Sequence, residues 1–470
     1  MTDAVVVGSG PNGLSAAIAL AQAGIHVTVI EAADTVGGGT RSSELTLPGL
    51  IHDDCSAFHP MGVASPFLSS LGLDEFGLTW AWPEVQIGHP LDGGRAGILH
   101  RSVDETAAGL GIDGEIWRKL FGPLTEDFDD IVQDFLGPVV HLPKHPVTMA
   151  KFGLKALQPA RLLGHRFATD EARGLFGGVC AHSFYELGKP TSSAAGLMLA
   201  AAGHRYGWPV AVGGSQAIAD ALAGKLQSLK GVIETGREVT TLSELSADVV
   251  MLDVSPSAVV SMAGDKLAPR IRRAYEKWKY GPSAFKVDFA VEGGIPWTNE
   301  DCRRAGTLHV GGTYGEIAAA EKESYRGTMP ERPFVLVGQQ YLADPSRSQG
   351  DTHPVWTYAH VPHGYDGDVV EPLIAQIERF APGFRERIVG QFVRDPAAMA
   401  AYNANYVGGD ISTGANNAWQ IVARPRLGVD PYATGIPGTY ICSAASPPGG
   451  GVHGMAGFHA SRSALRHLAG

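Results

Sequence analysis

Residues 3–41 read DAVVVGSGPNGLSAAIALAQAGIHVTVIEAADTVGGGTR, and this stretch decides the fold. Residues 4–7 are a short apolar, β-branched run, the pattern of a parallel strand buried on both faces. The run breaks at Gly8-Ser9-Gly10-Pro11-Asn12-Gly13. A helix pattern follows, with Leu14, Ala17, Ile18 and Ala21 on one stripe. Gly24 stops it, and residues 26–30 form a second strand pattern ending at Glu31, with Ala32 beside it. The unit is strand–helix–strand with a glycine fingerprint in its first turn. Gly8 permits the turn, Gly10 lets the backbone approach a pyrophosphate, and Gly13 lets the helix pack close to the strand. Pro11 and Asn12 open the helix, whose free N–H groups and positive dipole end suit that pyrophosphate. Glu31 follows Gly10 by 31 − 10 = 21 positions, where a carboxylate bonds a ribose hydroxyl. An acid there favours an unphosphorylated ribose, hence FAD or NAD rather than NADP.

Two other glycine runs, GLGIDG at 109–114 and GGGVHG at 449–454, fit the same spacing. Neither follows a strand pattern and leads to a second strand ending in an acid, so one nucleotide site is expected, with no separate NAD(P) site. Directly after the second strand comes VGGGTRSS at 36–43. Successive glycines allow backbone conformations closed to other residues. Arg41 adds a fixed positive charge, and Gly38, Gly39, Thr40 and Arg41 read as a second phosphate clamp.

At 470 residues the chain is long enough for two or more cores. It carries 37 basic and 48 acidic residues, net −11, which argues against nucleic acid and against electrostatic docking on anionic lipid. No secretory pattern opens the chain, and the longest apolar run, near 194–202, is about half what a membrane span needs. No integral membrane segment is expected, while peripheral membrane contact stays open. Cys55, Cys180, Cys302 and Cys442 lie far apart, with no CxxC, which fits a reducing cytoplasm. His141 and His145 are separated by Pro143, so no metal site is expected.

Further along, residues 73–208 read as mostly helical, and His182, Tyr185, His204, Tyr206 and Trp208 are pocket candidates, each also readable as plain core. Ser215 reads as a helix N-cap. Residues 231–256 predict a strand, a turn at Thr235-Gly236, a strand around Val239, and a buried strand in ADVVMLDVSP. Residues 283–293 alternate as a strand, and a helix is expected over 370–384. The loop YNANYVGGDIST at 402–413 holds Asp410, which either orients a substrate or caps a turn, the cap being favoured. A buried strand, a glycine-dense loop and a terminal helix end the chain.

The opening unit followed by GG-x-x-R resembles the FAD-binding start of glutathione-reductase-like and amine-oxidase-like flavoproteins. LTLPGLIHDDCSAFHP at 45–60, GHRYGWPVAVGGSQAIADAL at 203–222, IERFAPGFRERIVG at 377–390 and residues 438–460 resemble the phytoene-desaturase-like branch most. That resemblance implies an α/β fold. A Rossmann-like FAD-binding domain would be assembled from 1–72, 209–265 and 413–470, with an α+β substrate domain interleaved at 73–208 and 266–412. It puts Ser56, Phe58 and His59 near the isoalloxazine and the backbone of Val239 at adenine. It puts Gly450, Gly451, Val452 and Met455 against the flavin pyrimidine. Ser443-Ala444 stand where many relatives carry Gly-Asp, and a hydroxyl bonds more weakly than a carboxylate.

The implied activity is an FAD-dependent oxidoreductase of dehydrogenase or desaturase type. It would move a hydride between a hydrophobic, isoprenoid- or lipid-like small molecule and flavin N5. The catalytic candidates are His59, Tyr402, Asp410 and His453. Two other readings are a flavin amine oxidase caged by Tyr402, Tyr406 and Trp419, and a non-catalytic binding protein with a weakened FAD site. The oligomeric state is open, a homodimer included.

Overall fold

A computed structural model describes residues 2–469 of the chain. The apolar runs at both ends of the sequence meet in one five-stranded parallel sheet. Its order is Thr439–Ile441, Val249–Leu252, Asp3–Val7, His26–Ile30, Val232–Glu234. Strand residues alternate between two apolar layers. Ala4 and Val6 face the helices Pro11–Gln22, Gln216–Ser228 and Met455–Leu468. Val7 and Leu252 face the helices Pro256–Ala263 and Pro269–Glu276. The result is the α/β, Rossmann-like arrangement expected, a parallel sheet covered on both faces.

A second, seven-stranded mixed sheet runs Ile388–Arg394, Ser283–Glu292, Thr352–Val361, Val335–Gly338, Ala305–Val310, Val85–Pro90, Ala96–Leu99. One face buries Val287, Phe289, Val335 and Val337 under the helix Val370–Glu378. The other faces the cavity described below. Helices Gly114–Glu126, Asp170–Ala181 and Ser193–Tyr206 cap its far edge and build the remaining core.

The segment at 73–208, read as mostly helical, holds seven α-helices and also gives Val85–Pro90 and Ala96–Leu99 to the second sheet. All six residues of the former are buried, Gln86 and His89 included, so neither a continuous apolar run nor a solvent-facing polar side marks a strand. Two local expectations are corrected. No strand forms around Val239. The backbone there has no sheet neighbour, and Thr241 starts a short turn in a capping box with Glu244 instead. The helix that begins at Val370 ends at Glu378, short of Pro382.

The two sheets are tied through the hairpin Ser42–Glu44 and Ile51–Asp53. Asp53 and Arg347, both fully buried, form an ion pair at 2.6 Å. Arg347 also holds Asp344 at 3.1 Å and donates to the Ala211 carbonyl at 2.7 Å. Ser215 donates its backbone N–H to Asp53 at 2.7 Å. Burial alone would push the Asp53 carboxyl up, but Arg347 and these donors hold it below the usual carboxylate value.

Candidate functional site

One continuous cavity of about 1030 Å³ runs from the edge of the parallel sheet to the inner face of the second sheet. Its first end is built by the opening unit. Gly8 has φ +98°, a left-handed conformation that spares glycine the Cβ clash, and its N–H donates to Ile30 at 2.8 Å. A Cβ on Gly13 would run into the Gly8 carbonyl oxygen, so the helix meets the strand at van der Waals distance only with glycine. The Gly13 N–H donates to the Asp253 carboxylate at 2.9 Å, and a Cβ on Gly10 would stand 2.8 Å from that same carboxylate. Gly8, Gly10, Pro11 and Asn12 line the cavity, and the Asn12 side-chain oxygen is buried with no partner.

Glu31 is buried at the end of the second strand and lines the cavity with Ala32. Its carboxylate accepts from the Ser9 N–H at 2.8 Å, the Ser9 hydroxyl at 2.5 Å and the Ala33 N–H at 2.9 Å. Arg41, expected as a phosphate clamp, lines the cavity with these residues, pairs with Glu31 at 3.2 Å and donates to the Thr35 carbonyl at 2.8 Å. Val239 lines the same end beside Arg237.

Gly38, Gly39 and Thr40 fold back over the fingerprint. A Cβ on Gly38 would stand 3.0 Å from the Gly10 Cα, and the Ser56 N–H donates to the Gly39 carbonyl at 3.0 Å. Tyr402 donates to the Gly38 carbonyl at 2.9 Å, and a Cβ on Gly39 would strike the Tyr406 hydroxyl. Both tyrosines therefore support the glycine segment from below. Trp419 is 69% exposed, so this trio does not assemble into a cage.

In the middle of the cavity stand Ser56, His59, Gly450, Gly451, Val452 and His453. Ser215 spends its hydroxyl proton on the Ser56 carbonyl at 2.7 Å and meets His59 Nε2 at 2.8 Å, instead of capping its helix. With that proton committed, His59 must donate from Nε2, and its Nδ1 is a buried lone pair without a partner. Burial pulls the His59 pKa down to about 4, so the ring is neutral at pH 7. His453 is likewise pulled to about 4 by burial, and its Nδ1 accepts the Met455 N–H at 3.1 Å.

Arg424 enters this region buried and lines the cavity. It donates to Asn416 at 2.9 Å and to the Ala444 carbonyl at 3.3 Å, and its Nε–H has no partner. Burial lowers its pKa to about 10 against the pull of Asp410, so it stays charged at neutral pH. Among the described residues it contacts neutral oxygens and no carboxylate.

The far end is apolar, walled by Phe135, Leu136, Phe184, Met198, Leu336, Trp356 and Tyr358. His182 and Trp208 reach it. Tyr185, His204 and Tyr206 do not; His204 accepts from Trp117 in the core at 3.0 Å. Two hydroxyls on this wall, Ser183 Oγ and Thr307 Oγ1, are buried without a partner. His182 Nε2 meets His309 Nε2 at 2.8 Å behind them, and burial lowers the His182 pKa to about 3. Among the described residues named on this wall none is Lys or Arg.

Four expected site residues lie elsewhere. Gly13 works through packing, as above. Ser443 turns its hydroxyl to the Ala445 N–H at 3.3 Å, and its neighbour Ala444 faces the cavity. Met455 is buried where the last helix crosses the first. A Cβ on Gly457 there would strike the Asn12 carbonyl, so glycine sets that crossing. Asp410 accepts from the Gly281, Ser412 and Gly414 N–H groups at 2.8 Å each, which is the capping role rather than the substrate role. Sequence reasoning missed Asp253, Arg424, Ser183 and Thr307. Asp253 carried a readable signal, being the polar residue at the carboxyl end of a buried parallel strand. The other three had none.

A family described as an NAD(P)-binding Rossmann-like domain matches residues 6–70. A pyridine nucleotide-disulfide oxidoreductase domain-containing protein 2 from Rattus norvegicus is 22% identical over 99% of this chain and 94% of its own length. Among solved structures, an oxidoreductase from Methanosarcina mazei matches with TM-score 0.64 at 16% identity, over 99% of this chain and 100% of that one. Putrescine oxidase bound to putrescine matches with TM-score 0.61 at 19% identity, over 100% and 99%. A fatty acid isomerase from P. acnes that produces CLA matches with TM-score 0.59 at 15% identity, over 99% and 98%. At these identities what is shared is the fold.

Proposed function

We propose that this chain is an FAD-dependent oxidoreductase acting on an apolar small molecule. The observation that carries the reading is the continuity of one cavity from the glycine fingerprint to a charge-free apolar wall. FAD fits the residues present. The helix N-terminus at Pro11–Gln22 and the unpaired Arg424 guanidinium suit its phosphates or an anionic ring. The backbone at Glu31, Ala32 and Val239 suits its adenosine. When bound, FAD supplies the hydride-accepting ring. The chain's own part is to bind, orient and exclude water. The neutral His59 and His453 rings add no charge beside that ring. The unpartnered hydroxyls of Ser183 and Thr307 hold one hydrogen-bonding group of an otherwise apolar substrate.

The overall likeness extends to oxidases and to an isomerase of fatty acids, and the motifs at 45–60 and 377–390 favour the phytoene-desaturase-like branch over an amine oxidase. Four buried, free cysteines agree with placement in the cytoplasm. The test is to incubate purified protein with FAD, pass it through gel filtration and record its absorbance. Retained flavin that bleaches anaerobically with apolar donors is the expected result. A colourless protein that binds NADH instead would overturn the reading.

A further inference from the structure

The net charge of −11 hides a stretch of opposite sign. Residues 137–169 contain Lys144, Lys151, Lys155, Arg161 and Arg166 and no Asp or Glu, so the rest of the chain carries −11 − 5 = −16. Four of the five are exposed, and Lys155 is half-buried with Arg166 and Lys151 adding to the burial that lowers its pKa. Among the described residues none of the five pairs with a carboxylate, although ion pairs are common elsewhere on this surface. The same stretch exposes large apolar side chains. Leu142 is 94% exposed, Leu154 73%, Val147 67%, Leu157 65% and Leu162 55%.

The helix Pro146–Ala156 shows how this arises. Phe152 and Ala156 are buried inward, while Val147, Lys151 and Leu154, at i, i+4 and i+7, form an outward stripe. A surface helix in water turns a polar stripe outward; this one alternates Leu and Val with lysine. The helix is also fixed to the cavity wall. The Thr191 N–H donates to the Leu157 carbonyl at 3.1 Å, and the Ser193 hydroxyl donates to the Lys155 carbonyl at 2.9 Å. Thr191 and Ala194 line the cavity's apolar end, as do Phe135 and Leu136, which run directly into the basic stretch.

We propose that residues 139–166 dock this chain on the surface of an anionic lipid bilayer, with the apolar end of the cavity set against the lipid. Exposed Leu and Val supply the apolar insertion and the unpaired cations meet anionic headgroups. A second copy is the poorer occupant. A symmetric contact would press five cations against five, while the acids that border the patch, Asp134 and Asp130, already face His141 and His145. Uptake of an apolar substrate through this face rests on the oxidoreductase reading; the docking itself does not.

The test is co-sedimentation of the full chain with vesicles of phosphatidylcholine alone or mixed with phosphatidylglycerol, at low and high salt. Binding is expected to the mixed vesicles and to weaken with salt. At about fivefold per basic side chain, Lys151→Gln with Lys155→Gln lowers partitioning by roughly 25-fold. Leu154→Gln with Leu157→Gln loses binding at both salt levels. Lys151, Leu154 and Leu157 are exposed and Lys155 is half-buried with no ion-pair partner among the described residues, so thermal midpoints close to the parent's exclude misfolding. Equal recovery with both vesicle types, or no loss in either variant, would overturn the proposal. So would a dimer in solution that Leu154→Gln with Leu157→Gln dissociates. Flavin retention measured on the same samples separates this outcome from failure of the FAD reading.

Discussion

Asp253 is a carboxylic acid in an environment unlike the one its type usually occupies. Burial lifts its pKa from 3.8 to about 7, with Glu31 adding to the rise and the Gly13 N–H opposing it. The folded chain therefore holds a proton that the unfolded chain releases. The associated stability is full below about pH 4, falls as pH rises toward 7, and is flat above. Asp253→Asn keeps an acceptor for Gly13 and removes the titration. In urea unfolding of the FAD-free protein, the stability of the parent relative to this variant should fall by on the order of a few kcal/mol between pH 4 and 7. A pH-independent difference would show that Asp253 ionises normally. Asp410 makes the contrasting case. Burial raises its pKa too, but three backbone N–H groups occupy it, so it holds a loop and leaves the cavity free.

Among the elements, the short hairpin at 42–53 bears more than its length suggests, since its last residue meets Arg347 from 294 positions away. A buried pair is weak evidence of net stabilisation, but removing one partner is costly. Arg347→Met should destabilise the protein by about 3–5 kcal/mol, because Asp53 and Asp344 lose their common cation. Adding Asp53→Asn should recover part of that loss, which a double-mutant cycle measures. A loss confined to surface-substitution size would mean that water reaches the pair. The elements most legible in the sequence were those with local causes. Strand, glycine turn, helix and second strand each follow from periodicity and φ preference within about 30 residues. The strand Val85–Pro90 was missed because it is buried throughout with Gln86 and His89 inside, Ala96–Leu99 because four residues are too short a run to show a period, and the strand expected at Val239 failed for want of a neighbour to pair with.

For the whole molecule, the parallel sheet draws its strands from both ends and the middle of the chain, so a ligand in the cavity touches segments hundreds of residues apart. FAD at 100 times its Kd should stabilise the folded chain by about 2.7 kcal/mol, read as a rise in thermal midpoint that grows with FAD concentration. No shift at any concentration would show that the cavity does not hold it. Whole-chain charge and local charge point opposite ways: a net −11 argues against anionic lipid, while residues 144–166 carry five cations that, among the described residues, form no ion pair, beside exposed leucines.

What the sequence determined by itself is the nucleotide-binding unit. Its determinants are local: glycines where the backbone needs φ > 0 or close approach, an apolar period, and a carboxylate at the end of the second strand. The tertiary structure alone decided the partners of those groups. Asp253 reaches Gly13 across 240 positions. Thr307 and Ser183 come to one wall with their hydroxyls unspent, and Arg41 pairs with Glu31 at the cavity's edge. These are competitions for hydrogen bonds between distant segments, and only packing settles which group is satisfied by the protein and which is left for a ligand.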